Sequence, residues 1–333
     1  MTLMVGFLLL TASTILTIAV ARMGVMEQRI ANNELRAKEA QQAAQSGLDY
    51  ALAWLSTNVW SAGTEIPPPP QISASGDYRY GIRLTLDDRP GCLRVHSEAH
   101  ATGDESIYAA ATQCFQQKRP LRDAMARGVP PLVVGGCLSG VTGNANVYPS
   151  RCDPGRDDGC DRASVVSSHP LSCLDPGSLY LNGGSLRGNA FEGPAWEYLF
   201  AISQEEYKAR AEDGDPRFLW ITSTLRWDSD MGQPKEPIYM VFTESAGCPE
   251  VSGSVSVYGI VYFAEDAGCG SRGWGDAAVY GSVVFEDALE GLTARGRLYH
   301  WSWAVDNEEG ASLNIVTSTH RVPGSWRDWE PDG

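Results

Sequence analysis

Residues 1–21 read MTLMVGFLLLTASTILTIAVA and contain no charged side chain. A helix needs about 20 predominantly apolar residues to cross the hydrocarbon core of a bilayer, so this run is just long enough. Its polar residues are Thr and Ser, whose hydroxyl groups can bond to a backbone carbonyl one turn earlier in a helix. The segment therefore predicts an apolar helix that a membrane can hold.

Two other interpretations of this run are a secretory signal peptide and a plain single-pass anchor. A signal peptide has a basic start, a short apolar core and a cleavage site after small residues. No Lys or Arg stands before the run in the sequence, and the helical pattern continues after it, so a signal peptide is disfavoured. A single-pass anchor below an ectodomain also fits the run.

The helical pattern extends through residues 24–58, which are amphipathic. No proline occurs before Pro67, and residues 1–58 as one helix would be about 87 Å long. Small residues in the stripe favour close packing over a strong two-stranded coiled coil. Residues 1–60 are therefore predicted as one long helical region. The stripe has spacings of three and four, as one helix face requires, and consists of Ala37, Ala40, Ala44, Leu48, Ala51 and Leu55.

Charge separates this helix from the rest of the chain. The 333 residues contain 26 Lys and Arg against 41 Asp and Glu, a formal net charge of −15. The charges within residues 1–60 cancel, so the acidic excess belongs to residues 61–333. General nucleic-acid binding needs basic side chains that replace counterions, and this class of partner is therefore disfavoured.

Residues 61–118 predict an antiparallel sheet packed on the second half of the helix. Four consecutive prolines at 67–70 form a stiff connector. Strand-like runs follow at 78–86, 92–101 and 106–115, separated by turn-forming residues at 87–91 and 102–105.

Residues 119–333 predict a separate β-rich C-terminal head domain. The run VYGIVYF at 257–263 is echoed by VYGSVVF at 279–285, 22 residues later. Such an echo indicates stacked short strands, a partial β-solenoid or two equivalent strands of one sheet. A short helix is predicted at 204–211 with Ser203 as its cap. The fold class is α+β: a long N-terminal helix on an antiparallel sheet, plus a disulfide-stapled β-rich domain.

The eight cysteines all lie beyond the apolar helix. An even number restricted to one part of the chain favours disulfides in an oxidising compartment, whereas zinc sites need close pairs such as C-x-x-C, which are absent from the sequence. Eight cysteines allow 105 pairings. We predict pairing between neighbours: Cys92–Cys114, Cys137–Cys173, Cys152–Cys160 and Cys248–Cys269.

Candidate chemical sites are few. His96 and His100 are four residues apart on a predicted strand, about 13 Å, which is too far for one metal ion. Trp301 and Trp303 are predicted on one strand face, either as a binding surface or as core. No hydrolase or nucleotide-binding motif stands in a suitable context, so we predict no enzyme activity, catalytic residue, cofactor or metal. The weak calcium candidates are Asp153, Asp157, Asp158 and Asp161.

The sequence resembles the type IV pilin superfamily, and most closely the PilX-type pilus-assembly, or minor, pilins. Four stretches carry this resemblance: the start MTL before the apolar helix, MEQRIANNE at 26–34, QQAAQSGL at 41–48 and GGCLSGVTGN at 135–144. Residues 1–55 match well and the rest thinly.

The resemblance implies a subunit that waits in the bacterial inner membrane and then enters an extracellular filament with other pilins. It implies a leader removed before Met1, and methylation of the Met1 amine. Most pilins carry Glu at the fifth mature position, where it offsets the terminal amine of a neighbouring subunit, but this chain has Val5. The resemblance therefore leaves two alternatives: a subunit at the filament tip, or another acceptor for the amine. A tip adhesin is a further implied partner. The residues predicted to pack in the filament core are Leu3, Val5, Phe7, Leu8, Leu10, Ile15 and Ile18.

The predicted function is a structural minor pilin that polymerises through its N-terminal helix. The first alternative is the major repeating subunit of an unusual pilus. The alternative of another class is a single-pass membrane-anchored adhesin or enzyme.

Overall fold

A computed structural model describes residues 2–58, 60, 66–67, 78–86, 92–102, 104–125, 128–152, 161–251, 253–264, 275–290, 295–305 and 312–328. The chain divides into two compact units. Unit 1 consists of Met1–Lys118 and Ser318–Gly333, and unit 2 consists of Arg119–Thr317.

The helices of the described residues are α1 (Thr2–Leu55), α2 (Ala195–Leu199) and α3 (Gln204–Glu212). The strands of the first half are β1 (Tyr78–Leu86), β2 (Leu93–Ala101), β3 (Asp104–Lys118), β4 (Leu132–Val134), β5 (Leu138–Ser139), β6 (Asn146–Tyr148), β7 (Ala163–Ser167) and β8 (Ser185–Arg187). Those of the second half are β9 (Phe218–Ile221), β10 (Arg226–Trp227), β11 (Ile238–Phe242), β12 (Glu250–Val251), β13 (Ser256–Phe263), β14 (Ala278–Phe285), β15 (Leu289–Glu290), β16 (Arg297–Tyr299) and β17 (Ser318–Arg321).

Unit 1 is a long helix packed on a four-stranded antiparallel sheet in the order β1-β2-β3-β17. The α+β class, the long helix and the antiparallel meander are as predicted. The alternation of side chains along β2 explains why α1 packs on one face of the sheet. Leu93, Val95 and Ala99 lie on the same face of the strand. They form one core with Leu48 and Leu55 of α1.

The fourth strand of unit 1 corrects the predicted domain boundary. Residues 119–333 were assigned to one head domain, but the chain from Ser318 onward belongs to unit 1. Ser318 is the Cα partner of Lys118 and Arg321 that of Phe115, so β17 extends the sheet beside β3. Unit 2 is therefore inserted between two adjacent strands of unit 1.

Unit 2 is a three-sided parallel β-solenoid. Row one of its strands is the sheet β8-β7-β4-β14-β13-β11-β9. Row two joins Met231, the first residues of β13 and β14, then β16 and β6. Row three contains the pairs β10–β12 and β5–β15. Every pairing within these rows is parallel, as expected when equivalent segments of successive coils stack on one another.

The first coil in the sequence lies in the middle of row one. β4 stands between β7 and β14. From β8, at one end of the row, the segment that contains α2 and α3 leads to β9 at the other end. The later coils then return the chain to β14, beside β4. This order places the sequence-distant segments 132–134 and 283–285 in direct pairing.

The repeated run at 257–263 and 279–285 forms neighbouring strands in register. Val257 pairs with Val279 and Phe263 with Phe285, so the stacked, solenoid-like interpretation is the one the structure adopts. Gly259 and Gly281 pair at the corner between rows two and one, with φ of 144° and 139°. A Cβ atom on Gly281 would stand 1.9 Å from the Gly259 carbonyl oxygen, so only glycine fits this corner.

The central strands of row one are buried on both faces, which explains their nearly continuous apolar sequences. In β11, Met240 and Phe242 belong to the interior core, whereas Tyr239 and Val241 belong to an outer core. The outer core includes Trp196 of α2 and Tyr207 of α3. The Ser203 side chain accepts the Glu206 amide at 3.1 Å and so caps α3, as predicted.

Candidate functional site: the N-terminal helix

The first two thirds of α1 are exposed on nearly every side. Leu3 is 89%, Phe7 68% and Ile15 69% exposed. A continuous apolar surface of this kind marks contact with lipid or with another protein. The same exposure holds for all the residues predicted to pack in a filament core: Leu3, Val5, Phe7, Leu8, Leu10, Ile15 and Ile18.

Three threonine side chains of this segment bond within the helix. The Thr11 hydroxyl donates to the Leu8 carbonyl at 2.9 Å, Thr14 to the Leu10 carbonyl at 3.0 Å and Thr17 to the Ser13 carbonyl at 2.8 Å. These hydroxyl groups need no water, which suits an apolar environment. By length and composition α1 can cross a membrane, and none of its apolar window is buried.

The last third of α1 is fixed to the sheet of unit 1. Ala40, Ala44, Leu48, Ala51 and Leu55 are all fully buried. Ala37, predicted to begin this stripe, is exposed, because burial of the helix starts only at residue 40. One continuous helix thus carries an exposed apolar rod and its anchor.

Polar contacts from the C-terminal segment secure this anchor. The Thr319 hydroxyl donates to the Leu55 carbonyl at 2.8 Å, the Trp326 indole Nε1 donates to Gln45 Oε1 at 3.0 Å, and the Arg321 guanidinium pairs with Asp49. We call Thr319, Arg321 and Trp326 the C-terminal latch. The sequence analysis missed it, since STHR has no apolar alternation and its partners lie more than 260 residues away.

A second ion pair ties α1 to β3. Arg36 Nη1 lies 3.2 Å from Asp104 Oδ2. The pKa of Asp104 is lowered, first by the Ser106 hydroxyl that donates to it at 2.6 Å, then by the Ser106 backbone amide and after that by Arg36. The carboxylate form is therefore favoured beside the arginine. Both side chains are about one-third exposed, so the pair adds little to stability.

Two disulfides are described. Cys92 pairs with Cys114 in unit 1 and Cys137 with Cys173 in unit 2, with Cα atoms 5.5 and 5.1 Å apart. They are two of the four pairs expected from the sequence. Cys152 and Cys248 are also disulfide-bonded. Their expected partners, Cys160 and Cys269, lie outside the described residues, as does Met1.

The other candidates are placed as follows. Asp161 forms a two-bond ion pair with Arg187, both bonds 2.9 Å, while Asp153, Asp157 and Asp158 fall outside the described residues. Over the part of the chain that the structure describes, no group of three or more metal-ligating side chains occurs.

The predicted strand at Trp301 and Trp303 is wrong. These residues form a 3-10 turn, because the buried His300 side chain accepts the Ser302 amide at 3.1 Å and caps it. Trp301 is buried and Trp303 packs against Tyr148 and Tyr299. In unit 1, His96 is buried and its ring nitrogens contact Thr112 Oγ1 at 2.9 Å and Glu98 Oε1 at 2.8 Å.

Comparison with protein families bears on the part of the chain that forms the rod and most of its anchor. The family model described as PilX N-terminal matches residues 1–49. Residues 1–49 are thus similar to the N-terminal segment of PilX-type pilins. The resemblance noted from the sequence is confirmed over this segment, and its exposed apolar helix fits anchoring in a membrane.

The match to the PilX-type segment covers less than a sixth of the 333 residues and none of unit 2. Neither the search of curated proteins nor that of solved structures produced a match.

Proposed function

We propose that this chain is a non-enzymatic structural subunit of a type IV pilus-type filament, and within that class a minor pilin that takes part in assembly. The observation that carries the proposal is the division of α1 into an exposed apolar rod and a buried anchor. A rod anchored at one end can be held by lipid before assembly and by neighbouring helices afterwards. The PilX-type match over residues 1–49 supports the same role.

The driving force for assembly in this proposal is helix packing. Burial of a Leu or Phe side chain away from water contributes about 1.5–3 kcal/mol, but lipid offers the same gain. Transfer from bilayer to filament therefore depends on tight contact between helices, which small residues promote. Gly6 and Gly24 have open space around their Cα atoms, so neighbouring helices can approach there.

Val5 favours a minor role over that of the major subunit. It is 56% exposed and brings no carboxylate to the first turns of the helix. Without a carboxylate at this position, the N-terminal ammonium group of a subunit would lie unpaired inside an apolar filament, which is costly. A subunit at the filament tip is not surrounded by other subunits on all sides, so the cost of an unpaired ammonium group is smaller there. The tip also has room for a large solenoid.

The partners in this proposal are other pilins, and the locations are the bacterial inner membrane and then the extracellular filament. Disulfides in both units are consistent with an oxidising compartment. The role requires no cofactor, and methylation of Met1 belongs to the proposal.

Quantitative mass spectrometry of sheared, purified filaments tests this function. We expect the chain in the filament fraction at a small fraction of the major pilin, with a methylated Met1 and no preceding leader. If the chain were instead as abundant in the filaments as the major pilin, it would be a main repeating subunit. A chain that stays in the membrane fraction, with filaments that never contain it, would overturn the proposal in favour of an anchored ectodomain.

A further inference from the structure

Four tyrosines form a column on the outer side of row two of the solenoid. The ring centroids of successive members are 4.8, 4.8 and 4.5 Å apart, and the ring planes differ by only 8°, 9° and 11°. Each tyrosine directly follows an interior core residue on its strand, so its side chain points away from that core. In spatial order the column is Tyr258, Tyr280, Tyr299 and Tyr148.

A second outward column runs beside the first, two residues earlier on each strand. Arg297 is exposed in its centre. The parallel bridge between Asn146 and Tyr180 continues the column to Tyr180, which is 56% exposed. The other members are Ser256, which is partly exposed, and Ala278, which is buried beneath its neighbours. We call the two columns together the ladder face.

The chemistry of the ladder face is polar. The tyrosine rings stack on one another, so their flat faces are largely used, and what remains for a partner is hydroxyl, amide and guanidinium groups. Burial raises the pKa of Tyr280 and of Tyr299, with nearby Arg297 opposing the shift. Their hydroxyl groups therefore stay protonated and can donate hydrogen bonds as well as accept them.

This composition argues against a protein partner. Tyr and Arg are common at protein–protein interfaces, but the centres of those interfaces are well packed and apolar, and the outward residues of the ladder face include no Leu, Ile, Val, Met or Phe. A ligand rich in hydroxyl groups matches the donors and acceptors present. The regular 4.8 Å step of the column also favours a polymer with a short repeat that lies along the solenoid.

The sign of the charge on the ladder face narrows the ligand further. None of the twelve residues in 256–258, 278–280, 297–299 and 146–148 is acidic, although the chain has 41 Asp and Glu. Arg297 lies at the centre, and the residues two positions earlier on the neighbouring strands, Arg295 and Asp276, are exposed with opposite charge. Asp230 stands at the outermost rung, where its carboxylate accepts the Ser256 amide at 2.7 Å. Within the two columns, Arg297 is therefore the charged side chain between Tyr280 and Tyr148.

We propose that the ladder face binds a linear polysaccharide that carries carboxylate groups, with Arg297 pairing with a carboxylate and the tyrosine hydroxyls and Asn146 bonding to sugar hydroxyls. The exposed Tyr180 ring provides a surface on which a sugar ring can stack. The net charge of −15 opposes polyanions at long range. Because charges are screened within about 8 Å at physiological ionic strength, Arg297 determines the contact with an anionic group on the ladder face. This binding role does not depend on assembly into a filament.

Titration calorimetry on the full chain, solubilised in a zwitterionic detergent without sugar groups, tests the proposal. The probe is a hexamer of galacturonic acid, and maltohexaose is the neutral comparison. We expect saturable binding of the acidic hexamer and about tenfold weaker binding after Arg297→Gln, the loss of one charge-assisted bond. Tyr180→Ala should weaken it severalfold. Arg297 and Tyr180 are exposed, so both variants should fold normally, and unchanged circular dichroism would verify this.

Arg226→Gln is the matched control, since Arg226 is exposed on the same solenoid but belongs to row three. Binding by this variant should equal that of the unmodified chain. Equal losses for Arg226→Gln and Arg297→Gln would mean unspecific attraction and would overturn the proposal. It would also be overturned by no binding of the acidic hexamer, or by tighter binding of maltohexaose.

Discussion

The two units of this protein build β-structure in opposite ways. Unit 1 pairs antiparallel strands, most of them consecutive in the chain, and covers one sheet face with α1. Unit 2 stacks parallel strands from successive coils and buries both faces of its main row. Unit 1 thus depends on one helix–sheet contact and a C-terminal latch, whereas unit 2 depends on the repetition of similar coils.

The point of insertion explains how both units can coexist in one chain. Lys118 and Ser318 are Cα partners on adjacent strands, so the chain leaves unit 1 and returns to it at neighbouring positions. Unit 2 replaces what would otherwise be a short hairpin turn. The helix proposed to assemble and the sheet that anchors it therefore form one unit, in which the inserted solenoid supplies no strand.

The largest effect that separates the units is expected from Gly281→Leu. A side chain there would collide with the Gly259 carbonyl at a φ of 139°, and we expect roughly 5 kcal/mol or more of destabilisation in unit 2. Unit 1 has its own core and should keep its structure. Hydrogen exchange monitored by mass spectrometry reports the two units separately, with lost protection expected in β13, β14 and β16 and retained protection in β2 and β3.

Gly214→Ala is the control for this substitution. Gly214 also has a positive φ, 85°, but no heavy atom lies within 4 Å of the position that a Cβ would take there. It should cost only about 1–2 kcal/mol, the backbone penalty alone. If Gly281→Leu destabilised the protein no more than Gly214→Ala, the solenoid would not require glycine at the stacked corner, and unit 2 would not depend on the close stacking of its coils.

A smaller effect should separate the two parts of α1. Leu48 is fully buried, so Leu48→Ala should destabilise unit 1 by about 2–5 kcal/mol. Leu8 is 66% exposed, so Leu8→Ala should leave the stability of the detergent-solubilised chain unchanged and reduce only its entry into filaments. Thermal unfolding followed by circular dichroism, together with immunoblots of sheared filaments, measures both. Equal destabilisation by the two variants would contradict the division into rod and anchor.

Local patterns in the sequence predicted the helix, the meander and the helical cap at Ser203, because each depends on residues a few positions apart. The echo at 257–263 and 279–285 suggested stacking for the same reason. The latch and the pairing of β4 with β14 were not predictable, since their partners are more than 140 residues apart and the short strands show no periodicity. The turn at Trp301 was mistaken for a strand because its cap is His300, a residue outside the usual capping set.

Acid should act on unit 2 through His300. Its burial lowers the pKa from 6.5 to about 4. The unfolded chain takes up the proton near pH 6.5 and the folded chain only near pH 4, so the unfolded state binds more protons in this window and stability falls as pH falls. The loss should reach about 3 kcal/mol between pH 7 and pH 4. Urea unfolding over this range measures it, and His300→Asn, which keeps an acceptor for the Ser302 amide, should flatten the slope.

His169, which is exposed, provides the comparison for this pH dependence. His169→Asn should leave the slope as it is. If the fall in stability with pH persisted in His300→Asn but disappeared in His169→Asn, His300 would not be the group that makes unit 2 sensitive to acid.

The smallest effect concerns the latch of unit 1. Thr319→Val keeps the shape of the side chain but removes the hydroxyl that donates to the Leu55 carbonyl at 2.8 Å. That carbonyl also accepts Gln117 Nε2 at 2.7 Å, so it is not left without a donor, and the cost should be only about 1 kcal/mol. Ser318→Ala, one residue earlier on the same strand, should cost less. Hydrogen exchange near residue 55 should rise in Thr319→Val alone. If the two variants behaved alike, β17 would stabilise unit 1 through its backbone pairing with β3 and not through its contact with the end of α1.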